Sequence, residues 1–142
     1  MKYLFFLFII TLMFFSCVNN KTDSSNNKLN NQVIEKVFSK SEIAKYTISS
    51  IFNQPYEKMD VIENYDIYYV SYKQEKDSLI KRYKIKIDSN RIIWANSGAD
   101  GGRWRNTKYD EIIKYSIKGD TLKIGQFFND GSKIIKEFIK KE

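Results

Sequence analysis

The pattern of apolar and polar positions divides the chain into four stretches. Residues 3–15 are apolar except for Thr11, and residues 18–32 are nearly all Asn, Ser, Lys, Thr and Asp. The polar stretch offers too little apolar surface to offset the entropy lost on ordering, so it predicts a flexible tether. A helical period follows in residues 39–53, and an alternating period typical of β-strands takes over after Met59. The pattern therefore predicts one folded unit that starts with a helix and continues as a sheet.

Residues 39–53 carry the signals of one amphipathic helix, which we expect at about 41–53. Ser39 and Glu42 have the spacing of a capping box, in which each side chain accepts a hydrogen bond from the backbone N–H of the other. Pro55, the only proline, restricts the residue before it and so predicts an end at Asn53 and Gln54. One stripe, which needs a sheet to cover it, contains Ile43, Ala44, Thr47, Ile48, Ile51 and Phe52.

Six segments after the helix have the composition and period of strands. They are residues 65–73, 80–87, 91–95, 111–118, 121–128 and 133–139. Turn residues separate several of them, at Asp88-Ser89-Asn90, Gly119-Asp120 and Asn129-Asp130-Gly131. The last segment fits a helix as well as a strand, and the turn before it favours a strand. The predicted fold class is α+β, with an N-terminal helix packed on an antiparallel β-meander of five to six strands.

The first seventeen residues have the layout of an export signal. The apolar run is shorter than the roughly 20 residues of a membrane-spanning helix, and it follows the single basic residue Lys2. Ser16 and Cys17 at its end resemble a bacterial lipoprotein signal peptide, in which a small residue precedes a cysteine that receives a diacylglyceryl group. Phe14 and Phe15 stand where that family usually has Leu and a small residue. An ordinary cleaved signal and an uncleaved N-terminal anchor are the alternatives.

The resemblance covers residues 1–17 alone, and it implies a location and a division of the chain. Residues 1–16 would be the signal peptide, and residues 17–32 the lipidated Cys17 with its flexible tether. Residues 33–142 would form a single α+β domain. We therefore expect the protein in the bacterial cell envelope, anchored to a membrane through a lipid on Cys17, since a diacylated cysteine supplies the two chains that stable anchoring needs.

Residue types that are missing from the sequence narrow its chemistry. The 142 residues include one cysteine and no histidine. With Cys17 lipidated, the folded domain has no cysteine nucleophile, disulfide, Ser-His-Asp triad or usual zinc ligand set. We expect neither a metal nor a cofactor, which leaves chemistry based on carboxylate, lysine or tyrosine side chains, or no chemistry.

The formal net charge is +7, and it falls to +6 without Lys2. The basic residues mostly alternate with apolar ones; Arg82, Lys84 and Lys86, for example, alternate with Tyr83, Ile85 and Ile87. This alternation is typical of a solvated strand face above a buried one. A face turned towards a membrane or a polyanion is the alternative interpretation. Because the chain is expected to be exported, we do not expect a nucleic-acid partner.

The one unusual stretch is the loop at residues 96–107, which holds three of the six glycines. It places Trp104 between Arg103 and Arg105. An aromatic ring and two guanidinium groups can bind an anionic or planar partner by stacking and by forked hydrogen bonds. These three residues are the predicted partner-binding site.

A structural interpretation of the same loop is open. Gly101 and Gly102 would allow a tight bend, and Trp104 would cap the open end of the core. The two arginines would then pair with Asp110 or Glu111.

The acidic residues are the remaining candidates for catalysis. Asp60, Glu63 and Asp66 form one group, and Asp110 and Glu111 another. A glycosidase needs two facing carboxylates at a set separation, which the sequence does not establish. We therefore expect a non-enzymatic binding or accessory lipoprotein, of which an inhibitor or immunity protein is one form. A carboxylate-dependent hydrolase of envelope glycans and a purely structural envelope component are the alternatives.

Overall fold

The structure, a computed structural model, describes residues 38–98 and 101–140. The chain divides into two units, Met1–Gln32 and Val33–Glu142, and every described residue belongs to the second. The predicted signal peptide, Cys17 and the tether lie outside the described residues, as do Ala99 and Asp100 of the predicted loop. Among the described residues, no helix has the length and apolar character needed to cross a membrane.

Helix α1 spans Lys40–Phe52, one residue earlier at each end than predicted. The capping box is present: Ser39 Oγ accepts from the Glu42 N–H at 3.1 Å, and Glu42 Oε2 accepts from the Ser39 N–H at 2.7 Å. Asn53 ends the helix in the left-handed conformation, with φ 53°. Asparagine tolerates this conformation better than most residues, and Pro55 then prevents the helix from continuing.

Burial extends around α1 beyond the predicted stripe. Its buried residues are Ile43, Ala44, Tyr46, Thr47, Ile48, Ser49 and Ser50. Two of the buried hydroxyl groups have partners: Thr47 donates to the Ile43 carbonyl at 2.8 Å, and Ser50 accepts from Gln126 at 3.3 Å. Satisfying these groups is necessary because an unpaired buried hydroxyl costs about 1–3 kcal/mol.

Within the described residues, seven antiparallel strands follow the helix, and their order in the sheet is their order in the chain. They are β1 (Met59–Asn64), β2 (Ile67–Lys73), β3 (Ile80–Asp88), β4 (Arg91–Asn96), β5 (Ile112–Lys118), β6 (Thr121–Phe127) and β7 (Lys133–Ile139). A single 3-10 turn, Tyr56–Lys58, precedes β1. In the part of the chain that the structure describes, the single helix and the antiparallel sheet are as predicted, and the last segment is a strand. The predicted count of five to six strands is wrong.

The strand that the sequence missed is β1, and the reason lies in the turn that follows it. Tyr65 and Asp66 connect β1 to β2 with φ values of 46° and 58°. Two successive positive φ angles are typical of a type I′ hairpin turn, which usually contains Asn-Gly or Asp-Gly. Because Tyr-Asp carries no such signature, the pattern assigned Tyr65 to a strand, whereas β2 begins at Ile67.

Alternation along β3 separates a core face from a charged face, as predicted. Tyr83 and Ile85 are buried, and Arg82 and Lys86 are exposed. The core face packs against α1, which contacts β1, β2, β3 and β6. We call the opposite side of the sheet, turned away from α1, the outer face.

The sheet curves around α1. Tyr46 of the helix contacts Tyr56, just before β1, with ring centroids 4.3 Å apart, and Phe138 of β7 at 4.5 Å. A helix with its side chains is only about 10–12 Å wide, so contact with both ends of a seven-stranded sheet requires the sheet to bend. The outer face is therefore convex.

The sheet opens between β4 and β5. These strands pair only at Arg91 with Lys114 and at Ile92 with Ile113. Beyond these pairs the strands separate, and the loop between them lies beside β4: the Arg105 N–H donates to the Trp94 carbonyl at 2.8 Å. This opening positions the predicted loop at the edge of the core.

Candidate functional site

Arg103 forms a two-pronged ion pair with Asp110. Its Nη1 and Nη2 donate to Asp110 Oδ2 and Oδ1, each at 2.7 Å. The Arg103 side chain is 60% exposed, whereas that of Asp110 is 4% exposed. The backbone N–H and the hydroxyl of Thr107 also donate to Asp110, at 2.9 and 2.7 Å. The hydrogen bonds from Arg103 and Thr107 hold the pKa of Asp110 well below its ordinary value, so this carboxylate stays ionised.

Arg105 forms the second pair, with Glu111. Its Nε and Nη2 donate to Glu111 Oε2 at 3.1 and 2.8 Å, and Trp94 Nε1 donates to Glu111 Oε1 at 2.8 Å. The Arg105 guanidinium also lies 5.1 Å from the centroid of the Trp94 ring. Burial raises the pKa of Glu111, but the hydrogen bonds from Arg105 and Trp94 outweigh it and leave the pKa below its ordinary value. Glu111 thus holds both Arg105 and Trp94 in place.

A cleft of about 380 Å³ opens beside these pairs, at the C-terminal end of α1. We call it the aromatic cleft, and its lining residues are Phe52, Tyr83, Trp94, Asn96, Arg103 and Arg105. Phe52 stacks on Tyr83 with ring centroids 4.5 Å apart and meets the Trp94 ring edge-on at 5.4 Å. The cleft therefore has aromatic walls with two guanidinium groups and one amide beside them.

Trp104 lies on the other side of the sheet from its two neighbours. Its ring is half-buried, 4.8 Å from the Lys84 ammonium nitrogen, and Lys84 projects from the outer face. Trp104 does not line the cleft and is not among the residues that form the hydrophobic core. Of the three predicted partner-binding residues, the structure brings Arg103 and Arg105 together at the cleft and places Trp104 elsewhere.

The structural interpretation is correct for the arginines, which pair with Asp110 and Glu111 as it predicted. It does not exclude a binding role. A guanidinium group has five N–H donors, and the ion pairs described here use only some of them. Both guanidinium groups line the cleft, so their N–H groups outside these hydrogen bonds are available to a ligand there.

Gly102 fixes the loop against β4. Its φ is 48°, and a Cβ atom there would lie 2.0 Å from the Asn96 carbonyl oxygen. Only glycine fits this approach. Asn96 is itself held, because its Oδ1 accepts from the Gly98 N–H at 3.1 Å. The bend predicted at Gly101 and Gly102 is thus a close contact between loop and strand.

Sequence reasoning missed four cleft residues: Phe52, Tyr83, Trp94 and Asn96. It assigned the first two to core faces, where they do pack, without placing them at the open end of the core. The position of the hairpin turn after Asp88 indicates which residues line the cleft. Counting back from that turn pairs Tyr83 with Asn96, and it brings Trp94 next to both on the same face.

The candidate catalytic carboxylates do not converge. Asp60 is on the outer face of β1, whereas Glu63 accepts a hydrogen bond from the Tyr68 hydroxyl at 3.1 Å on the core side. Asp110 and Glu111 each pair with an arginine, and among the described residues no carboxylate lines the aromatic cleft. Within residues 38–98 and 101–140, no three acidic, histidine or cysteine side chains are grouped to hold a metal ion.

The chain matches no protein-family model, no curated protein and no solved structure. We therefore infer function from the cleft itself. Its aromatic walls can stack on a planar group, and its guanidinium groups can donate paired hydrogen bonds to an anionic one.

Proposed function

We propose that the protein is a lipid-anchored binding protein of the bacterial envelope, without a catalytic step, and that it holds its partner in the aromatic cleft. The proposal rests on one observation: Arg103 and Arg105 line a cleft with aromatic walls, and each is held in position by hydrogen bonds to a carboxylate. Immobilising a flexible side chain on binding costs about 0.5–1.5 kcal/mol. Because Asp110 and Glu111 already order Arg103 and Arg105, a partner meets groups that are in position.

The cleft defines the chemistry of the partner. Asp110 and Glu111 neutralise the two guanidinium charges, so net attraction for an anion is small. The aromatic walls supply the larger part of the contact, and the arginines and Asn96 supply orientation through hydrogen bonds. A planar group with carboxylate or carbonyl oxygens at its edge fits this arrangement. Inhibition of an enzyme that attacks the envelope is one form that such binding can take.

Partner capture in the native envelope tests the cleft. The full-length protein and its Arg103→Gln variant are crosslinked to their neighbours, and the captured partners are compared. We expect Arg103→Gln to lose a partner that the wild type retains, because the substitution removes the forked donor at the cleft.

Two variants control for this experiment. Trp104→Ala changes the same loop on the other side of the sheet. Thr107→Ala removes one hydrogen bond to Asp110 without removing a group from the cleft. Both should retain the partner. Equal capture by all four proteins would contradict a role for the cleft, and equal loss in all three variants would assign the effect to loop stability.

The lipid anchor is tested separately, by metabolic labelling with palmitate. We expect the wild type to be labelled and Cys17→Ser to be unlabelled, since the acyl chains attach at this cysteine. Equal labelling of both proteins would refute lipidation at Cys17.

A further inference from the structure

The outer face of the sheet has a large excess of basic over acidic residues. The register of the strands places nine basic residues on this face: Lys73, Arg82, Lys84, Lys86, Arg91, Lys114, Lys118, Lys123 and Lys133. Only three acidic residues share the strands of this face: Asp60, Asp88 and Glu137. The outer face thus has six more positive than negative charges, and the formal net charge of the whole chain is +7.

One pair on this face opposes folding. Arg91 and Lys114 lie directly opposite each other on β4 and β5. Like charges at directly opposed positions destabilise a sheet. An anionic surface outside the protein would relieve this repulsion.

Apolar side chains lie among the lysines on β5, β6 and β7. Ile112 is opposite Phe127, and Ile135 is opposite Gly125; the three large side chains are 42%, 38% and 51% exposed. The ring of Phe127 leans over Gly125, where a Cβ atom would lie 2.9 Å from it. A groove of about 270 Å³ runs along this contact and reaches Lys114 and Lys123. We call this region, formed by Ile112, Lys114, Lys123, Phe127, Lys133 and Ile135, the β5–β7 patch.

We propose that the β5–β7 patch docks on the surface of a bilayer that contains anionic phospholipid. Ammonium groups of the lysines would contact lipid phosphates, each contributing about 1 kcal/mol near the surface. Phe127 and the exposed isoleucines would enter the boundary between headgroups and acyl chains.

The distribution of charge favours a bilayer over a single bound molecule. The lysines are spread across a convex face and do not converge on one point, so they complement an extended anionic plane. The short distance between the domain and the membrane also favours a bilayer, and this step rests on the proposed anchor at Cys17. The 22 residues between that cysteine and α1 span at most about 80 Å, so the domain cannot leave the vicinity of the membrane.

Amine footprinting of the full-length protein tests the docking. The protein is reconstituted into vesicles of phosphatidylcholine alone or of phosphatidylcholine mixed with phosphatidylglycerol, and acetylation of each lysine is measured by mass spectrometry. We expect labelling of Lys114 and Lys133 to fall several-fold in the anionic vesicles and to recover at high salt, which screens exposed charges. Lys40, exposed on α1, should be labelled equally in both. Equal labelling of Lys114 and Lys133 in both vesicles, or an equal fall at Lys40, would overturn the proposal.

A charge-reversal pair locates the contact. In Lys114→Glu/Lys133→Glu, protection of the remaining Lys123 should disappear, whereas Lys40→Glu/Lys45→Glu, with the same change of charge on α1, should keep it. Protection of Lys123 in both variants would also overturn the proposal. The wild-type footprint does not depend on how well a variant folds. Failure here leaves partner capture through the cleft unaffected, so the two proposals are tested independently.

Discussion

Four hydrogen bonds converge on the carboxylate of Asp110, two from Arg103 and two from Thr107. The carboxylate is buried, and its ionised form is stabilised by all four donors. This one residue therefore determines where Arg103 stands and how the end of the loop is folded. It acts on the cleft through Arg103, because its own side chain does not line the cleft.

Asp110→Asn should change how stability depends on pH. The pKa of Asp110 is below its ordinary value in the folded protein and about 3.9 in the unfolded chain. Its stabilisation is therefore present above about pH 4 and is lost as the pH falls further. In urea unfolding at pH 7 and pH 3, Asp110→Asn should be less stable than the wild type at pH 7 and should lose less on acidification.

The control for this measurement is Asp60→Asn, which removes one negative charge at an exposed position of β1. An acid-induced loss in Asp110→Asn as large as that of the wild type would show that the hydrogen bonds to Asp110 do not stabilise its charged form.

Neighbouring glycines give a matched pair of substitutions. Gly101→Ala meets no atom within 4 Å and suffers only from its positive φ of 70°, which costs about 1–2 kcal/mol. Gly102→Ala has a similar φ and also places its Cβ against the Asn96 carbonyl, so it should lose about 1–3 kcal/mol more. Chemical denaturation measures both. Equal losses would mean that the loop does not press on β4.

At the scale of elements, local signals in the sequence were sufficient for most of the fold. The capping box fixed the start of α1, and turn residues fixed three hairpins. Strand β1 was not predicted because Tyr65 and Asp66 adopt a turn that their residue types do not indicate. The aromatic cleft was not predicted for a different reason. It forms where β4 and β5 separate, and that separation depends on contacts between residues distant in the chain.

The capping box of α1 predicts that the hydroxyl group of Ser39 stabilises the folded protein. Ser39→Ala should destabilise the protein by about 1 kcal/mol, because the Glu42 N–H loses its acceptor. Ser41→Ala, inside the first turn of α1, is the matched control and should leave stability unchanged or slightly raised, since alanine has the higher helix propensity. Thermal unfolding distinguishes them, and equal melting temperatures would show that the cap does not stabilise the folded domain.

At the scale of the whole molecule, the two proposed surfaces belong to opposite faces of one sheet. The aromatic cleft opens on the side that packs against α1, whereas the β5–β7 patch is on the outer face. With the outer face on a bilayer, the cleft would be turned away from the membrane, where a partner can reach it. The proposed anchor would keep the domain near the membrane, the patch would orient it, and the cleft would bind the partner.

Site-specific photo-crosslinking shows whether the aromatic cleft binds a partner. A photo-crosslinking amino acid replaces Asn96 in the cleft or Ile62, exposed on the outer face of β1, and the full-length protein is irradiated in the native envelope. We predict a product from position 96 that is absent from position 62 and that disappears when Arg103→Gln is added. The same products from both positions, or a product from position 96 that survives Arg103→Gln, would show that the cleft does not bind a partner through Arg103.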